Sequence, residues 1–238
     1  GWNFEGSRYQ FNAFSDTEIS SIFAGYSACL ERLTGMRPRA YRAGGFCVEP
    51  FTRIAGSLLA AGVDIDSSVV PGASLLDKEK SFDFRQVPSD QWWYFNETPR
   101  ASEPGGRFLE LPITAVRQSR SFYWGRLLDR FTGRQDGRIY GNGSSKKIGS
   151  QEIARRLAGM SRATELSIDH AKIRHLNPDL LRGQPAGILH FMGHPKLLSK
   201  QSLQRLDDWL ETAGDLESES VASMAKRIRS GEFGGAVI

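Results

Sequence analysis

The sequence predicts an α/β fold with a mainly parallel sheet, and three observations predict it. Short apolar or β-branched runs alternate with longer runs whose apolar residues recur at helical spacing, glycine and proline punctuate them, and no internal repeat interrupts the order. The chain has 238 residues, 39% of them hydrophobic and 24% charged, with 25 glycines. That length suits one α/β domain over residues 1–238 around one core. The composition excludes a disordered tail, a collagen-like repeat and a coiled coil.

The elements follow in order. Ser15-Asp16-Thr17-Glu18 reads as a capping box, and Ile19, Ile22, Phe23, Tyr26, Leu30 and Leu33 then predict a helix packed on one face, ended by Gly35. Pro38 bars its continuation, and Arg39 to Arg42 reads as a short strand running into Gly44-Gly45. Pro50 opens a second helix through Ile54, Leu58 and Leu59, Gly62 closes it, and Val63 to Val69 reads as a strand. From Pro71 to Glu103 no period is sustained, so a long rim insertion is expected there. Arg107 to Ala115 reads as a strand, Ser121 to Phe131 as a helix, Gly133 to Ser145 as a Gly-rich loop and Ser150 to Met160 as a helix. Strands are expected at Glu165 to Asp169 and Ala186 to Met192, an amphipathic helix from near Ser199, and a last helix over Val221 to Arg229.

Net charge is +4, too small to announce a nucleic-acid binder. Residues 117–174 hold 13 Lys/Arg against 5 Asp/Glu. Aromatic residues are not regularly interleaved with those charges, as stacking on bases requires, so no nucleic-acid partner is expected. The two cysteines, Cys29 and Cys47, form no Cys-x-x-Cys and have no nearby His, which excludes a disulfide framework and a zinc finger. No run is long and apolar enough to span a membrane, and the start Gly-Trp-Asn-Phe-Glu-Gly has neither the basic region nor the apolar core of a signal peptide. The compartment stays open, with the cytoplasm as the default expectation, and the oligomeric state is not specified.

Chemistry in parallel α/β folds collects where strands end. There stand Arg42 before Gly44 and Gly45, Asp66 before Ser67 and Ser68, Glu110 between Leu109 and Leu111, and His194 between Gly193 and Pro195. A guanidinium beside flexible backbone suits a carboxylate. Asp66 suits Arg42, an imidazole or its own turn, while Glu110 reads as an outward strand residue. An imidazole at a strand end suits proton transfer near neutrality. His190, inside the last strand, reads as core, and His170 and His175, five apart, make no compelling metal pair. The chain has no Gly-x-Ser-x-Gly, no phosphate-binding Gly-Lys-Ser/Thr and no His-Glu-x-x-His, so serine hydrolase, nucleoside-triphosphate and thermolysin-like readings lose support.

The motif order resembles the polysaccharide deacetylases of the NodB-homology class, carbohydrate esterase family four. The matching stretches are Leu33-Thr34-Gly35-Met36-Arg37-Pro38-Arg39-Ala40-Tyr41-Arg42-Ala43-Gly44-Gly45-Phe46, Ala61 to Val69 with Asp66-Ser67-Ser68, Phe108-Leu109-Glu110-Leu111-Pro112, and Gly193-His194-Pro195-Lys196. The resemblance implies a distorted (β/α) barrel that removes acetyl groups from an N-acetylated polysaccharide or glycan precursor. It implies a divalent metal, commonly zinc, held by one Asp and two His. By motif, Arg42 matches the orienting arginine, His194 the general acid, and Asp66 a partner of one of them, with His190 the competing match for the late histidine. Tyr41, Gly44, Gly45 and Phe46 would line the sugar site; from the residues themselves Glu110 is a candidate ligand contact, and Trp92 and Trp93 are the aromatic residues with which a glycan-binding relative would hold its sugar. The class's early Asp-Asp strand end and His pair have no counterpart before Ser15, and all four histidines lie at or beyond His170. An N-terminally incomplete member, lacking its first strands and expected alone to hold no metal and to be inactive, is therefore the first expectation. The alternative is a non-catalytic, glycan-binding relative.

Overall fold

A computed structural model describes residues 11–76, 81–117, 119–132, 139–141, 150–158, 163–169, 187–213 and 217–232. They group into two compact units, residues 1–112 with 218–238, and residues 113–217.

The first unit opens on helix α1, Asp16–Thr34, and its capping box is formed: Glu18 N–H donates to Ser15 Oγ at 3.3 Å while Glu18 Oε2 accepts from Ser15 N at 2.7 Å. Gly35, at φ 70°, ends it by donating its N–H to Glu31 O. Ile19 is buried and Phe23 packs edge-on to Tyr41 at 5.3 Å, but Tyr26, Leu30 and Leu33 are exposed. The single packed face expected for the whole helix therefore holds only for its first half. Helix α2, Thr52–Ala60, buries Ile54, Ala55 and Leu58 and packs on α1.

Strands β1 (Ala40–Tyr41) and β2 (Ile65–Asp66) flank these helices in sequence, giving the expected order of helix, strand, helix, strand. The 71–103 segment holds the antiparallel pair β3 (Ser74–Leu76) and β4 (Ser81–Asp83), then strand β5 (Trp93–Phe95). β5 joins the main sheet, so this stretch is not a rim insertion alone. With β6, Phe108–Glu110, the sheet order is β1-β2-β6-β5, parallel across the first three strands and antiparallel at β5. Phe51 fills the core beneath it, edge-on to Phe95 at 4.8 Å and to Phe108 at 4.7 Å. Offset edge contacts of this kind add to the area the rings bury.

In the second unit, β7 (Ala115–Val116) pairs antiparallel with β8 (Thr164–Glu165), and helices α3 (Arg120–Thr132) and α4 (Ser150–Leu157) pack together. Residues 187–191 form no strand, contrary to expectation; only Met192 makes a parallel bridge, to Ser167. The apolar run there packs rather than pairs, and Phe191 lies edge-on to the buried Trp209 of helix α5, Lys200–Ala213, at 5.5 Å. Helix α6, Val221–Arg229, returns to the first unit, capped by Ser220, and Arg229 reaches Asp64 at 3.0 Å. The class is α/β, and among the described residues no closed barrel is formed.

Candidate functional site

The parallel register of β1, β2 and β6 sets Tyr41 beside Asp66 and Asp66 beside Glu110 at one end of the sheet. Both carboxyl-bearing residues are completely buried. Asp66 closes the turn that follows it: Oδ1 accepts from Ser68 Oγ at 2.8 Å and Oδ2 from Ser68 N at 3.2 Å. Ser68 Oγ accepts in turn from Ala43 N at 2.9 Å, and Glu110 Oε1 accepts from Val69 N at 3.1 Å. Arg42 donates from Nε to the Ser67 carbonyl and from Nη2 to Ser67 Oγ, each at 3.0 Å.

Burial raises the Asp66 pKa, against hydrogen bonds from Glu110, Ser68 and the backbone that lower it. Glu110 is pushed well above the carboxylate range by burial first, then by the charge of Asp66 and the hydrogen bond with it. Val69 N–H and the Arg42 charge pull it the other way.

Arg42, Asp66 and Glu110 thus come together, while the sugar-lining expectations divide. Glu110, expected to face outward, is buried because β6 is an interior strand between β2 and β5. Tyr41 is half-buried, and burial, then the charges of Asp66 and Cys47, push its phenol pKa up. Gly44, Gly45 and Phe46 form one 3₁₀ turn in which Gly45 and Phe46 have φ of 62° and 63°. Gly45 adopts that region without penalty, whereas for Phe46 it costs on the order of 1–2 kcal/mol. Its ring packs edge-on to Phe82 at 5.6 Å. Strand alternation separates the two tryptophans. Trp93 is 2% exposed and donates Nε1–H to Pro99 O at 2.9 Å, which makes it a core residue, whereas Trp92 is half-buried and meets Tyr94 edge-on at 5.8 Å.

The second unit holds a separate pair. Asp169 Oδ2 lies 2.9 Å from His194 Nδ1, and Oδ1 accepts the His194 backbone N–H at 2.7 Å. The Asp169 side chain is 4% exposed and that of His194 42%, so the carboxylate is enclosed and the ring reaches solvent. Burial acts to raise the Asp169 pKa, but the hydrogen bonds and charge of His194, with Ser167, hold it below the usual range. Such a pair fixes the ring tautomer with Nδ1–H toward the carboxylate and leaves Nε2 for a reacting group. Asp169 escaped the sequence reading although it ends an expected strand, the same signal that selected Asp66. His190 is placed by its backbone, donating N–H to Thr114 Oγ1 at 2.9 Å and accepting from Thr114 N. His170 and His175 lie outside the described residues.

The described residues do not fit the metal that the resemblance implies. Among them, no three His, Cys, Asp or Glu side chains gather as a ligand set. Asp66 is enclosed and engaged by Ser68, and Asp169 by His194. Among the described residues no helix is long and apolar enough to cross a membrane. Comparison with family models, with curated proteins and with solved structures finds no match for this chain.

Proposed function

We propose that the chain is a polysaccharide deacetylase-type hydrolase, with a distorted (β/α) barrel, acting on the N-acetyl group of a polysaccharide or glycan precursor. The observation that carries this reading is the Asp169–His194 pair. Hydrolysis adds water to the amide carbonyl carbon and breaks the C–N bond, and the leaving nitrogen must take a proton. His194 Nε2, which takes a proton from the attacking water, supplies it, while Asp169 holds Nδ1–H toward its carboxylate and stabilises the imidazolium that carries the proton between the two steps. Arg42, seated on Ser67, keeps the orienting role given by its motif. A divalent metal such as zinc would polarise the carbonyl and activate the water. The described residues do not supply its ligands, so no step is derived through it.

One observation favours a second reading, a non-catalytic glycan-binding relative: Trp92 and Tyr94 form an aromatic pair on one side of β5, the kind of surface on which a sugar ring stacks. Acetate release from N-acetylated chitooligosaccharides by the whole reading frame containing this chain, assayed with zinc, together with calorimetry on the same ligands, separates the two. Acetate release lost in His194→Gln supports the hydrolase; binding heat without acetate supports the binding module.

A further inference from the structure

Asp66 and Glu110 pose a hydrogen-bonding problem that has one economical solution. Both residues are completely buried and stand side by side in the parallel register of β2 and β6. Ionised carboxylates only accept hydrogen bonds. Asp66 uses both oxygens as acceptors, from Ser68 Oγ and from Ser68 N, so the proton does not belong there. Glu110 Oε1 accepts from Val69 N, but its Oε2 is buried and meets no donor. The carboxyl that stands beside Glu110 in the register of β2 and β6 is that of Asp66, itself an acceptor. A proton on Glu110 Oε2 gives that atom a hydrogen to donate toward the Asp66 carboxyl beside it, which an ionised Glu110 lacks.

We propose that Asp66 and Glu110 are a buried carboxyl pair holding one proton, carried on Glu110 Oε2, and that this pair positions Arg42. The path to Arg42 is short. Asp66 closes the turn at Ser68, Ser68 Oγ receives the N–H of Ala43, the residue after Arg42, and Ser67 of the same turn receives the guanidinium. Val69, at the far side of the turn, is tied to Glu110 itself. Loss of the proton would place two negative charges in a closed site, where like charges are poorly screened. The turn that seats Arg42 would then open.

Among the described residues, the charged and titratable groups facing the pair are these. Arg42 faces both carboxyls, and the Tyr41 phenol faces Asp66, with Cys47 acting on Tyr41. Trp93, across Glu110 on β5, does not titrate. Among the described residues, the positive charge facing the pair is that of Arg42, which the single negative charge of the singly protonated pair matches. This inference does not depend on the deacetylase reading, since it rests on the sheet geometry of the first unit alone.

The sign of its pH dependence is fixed. Glu110 binds its proton more tightly folded than unfolded, so its contribution to stability is complete below the unfolded value and is lost as pH rises through the folded one. The test is carboxyl ¹³C NMR on the full chain labelled at glutamate, with Glu110→Gln to assign the resonance and Glu110→Ala as a comparison. At neutral pH the Glu110 signal should sit at the protonated position and move only in alkali, together with loss of the protected Arg42 Nε–H signal. Gln, whose amide donates where the acid proton did, should keep that Arg42 signal and remove its alkaline loss, while Ala should abolish the signal at every pH. A Glu110 signal titrating with the exposed glutamates overturns the proposal, as does an Arg42 signal equally perturbed by Gln and Ala.

Discussion

Asp169 holds His194 at two points, its Oδ2 at the ring Nδ1 at 2.9 Å and its Oδ1 at the backbone N–H at 2.7 Å. The double contact fixes both where the ring begins and how it is turned. It leaves Nε2 as the proton-transferring atom in the proposed reaction.

Asp169→Asn should therefore lower the rate of acetate release with little change in KM, because the ring remains but its tautomer is no longer enforced. A general acid contributes about 10²- to 10⁴-fold, and the loss in Asp169→Asn should approach that in His194→Gln. Steady-state kinetics of the two variants check this. Equal wild-type and Asp169→Asn rates would remove the pair from the chemistry.

Acid stability offers a second check on the same pair. The Asp169 pKa is depressed on folding, so its stabilisation is present above the unfolded value and is lost as pH falls through the folded one. Chemical unfolding should show Asp169→Asn less stable than wild type by about 1–3 kcal/mol at neutral pH. That gap should close in acid, and one that stays constant contradicts the assignment.

The two tryptophans should behave oppositely. Trp93→Ala removes a buried ring and its bond to Pro99 O, so it should destabilise the fold by about 3–5 kcal/mol. Trp92→Ala should leave the melting midpoint nearly unchanged and, where the protein binds glycans, weaken that binding. Thermal melts and calorimetry on both variants decide it.

Gly106 lies close against the Phe95 backbone beside the β5–β6 pair. A Cβ there would lie 2.5 Å from both N and O of Phe95, which are backbone atoms and cannot swing aside. Gly106→Ala should lower the melting temperature markedly, whereas Gly56→Ala, with open space around it inside α2, should stabilise slightly. Comparable melts for both would contradict the packing described.

What the sequence made legible was local. The bounds of α1 follow from Ser15, Glu18 and Gly35, and those of α6 match the expected Val221 to Arg229 because cap and period lie within the helix. Strand β5 was hidden because three residues carry no readable period and the strand exists through pairing with β6. Glu110 misled for the same reason: whether a strand residue faces water depends on what flanks the strand. The exposed Tyr26, Leu30 and Leu33 have helical spacing indistinguishable from a buried face. Arg42, Asp66 and His194 were legible as polar groups at expected strand ends, and the turn that Asp66 closes at Ser68 was among the readings open to it, but Ser67 as the seat of Arg42 and Asp169 as the partner of His194 emerged only from the fold.

The measurement that tests the account most directly is acetate release from N-acetylated chitooligosaccharides by the whole reading frame containing this chain, assayed with zinc, in wild type and His194→Gln. The account predicts release by the wild type and a fall of about 10²- to 10⁴-fold in the variant. No release by the wild type, or equal release by both, contradicts it.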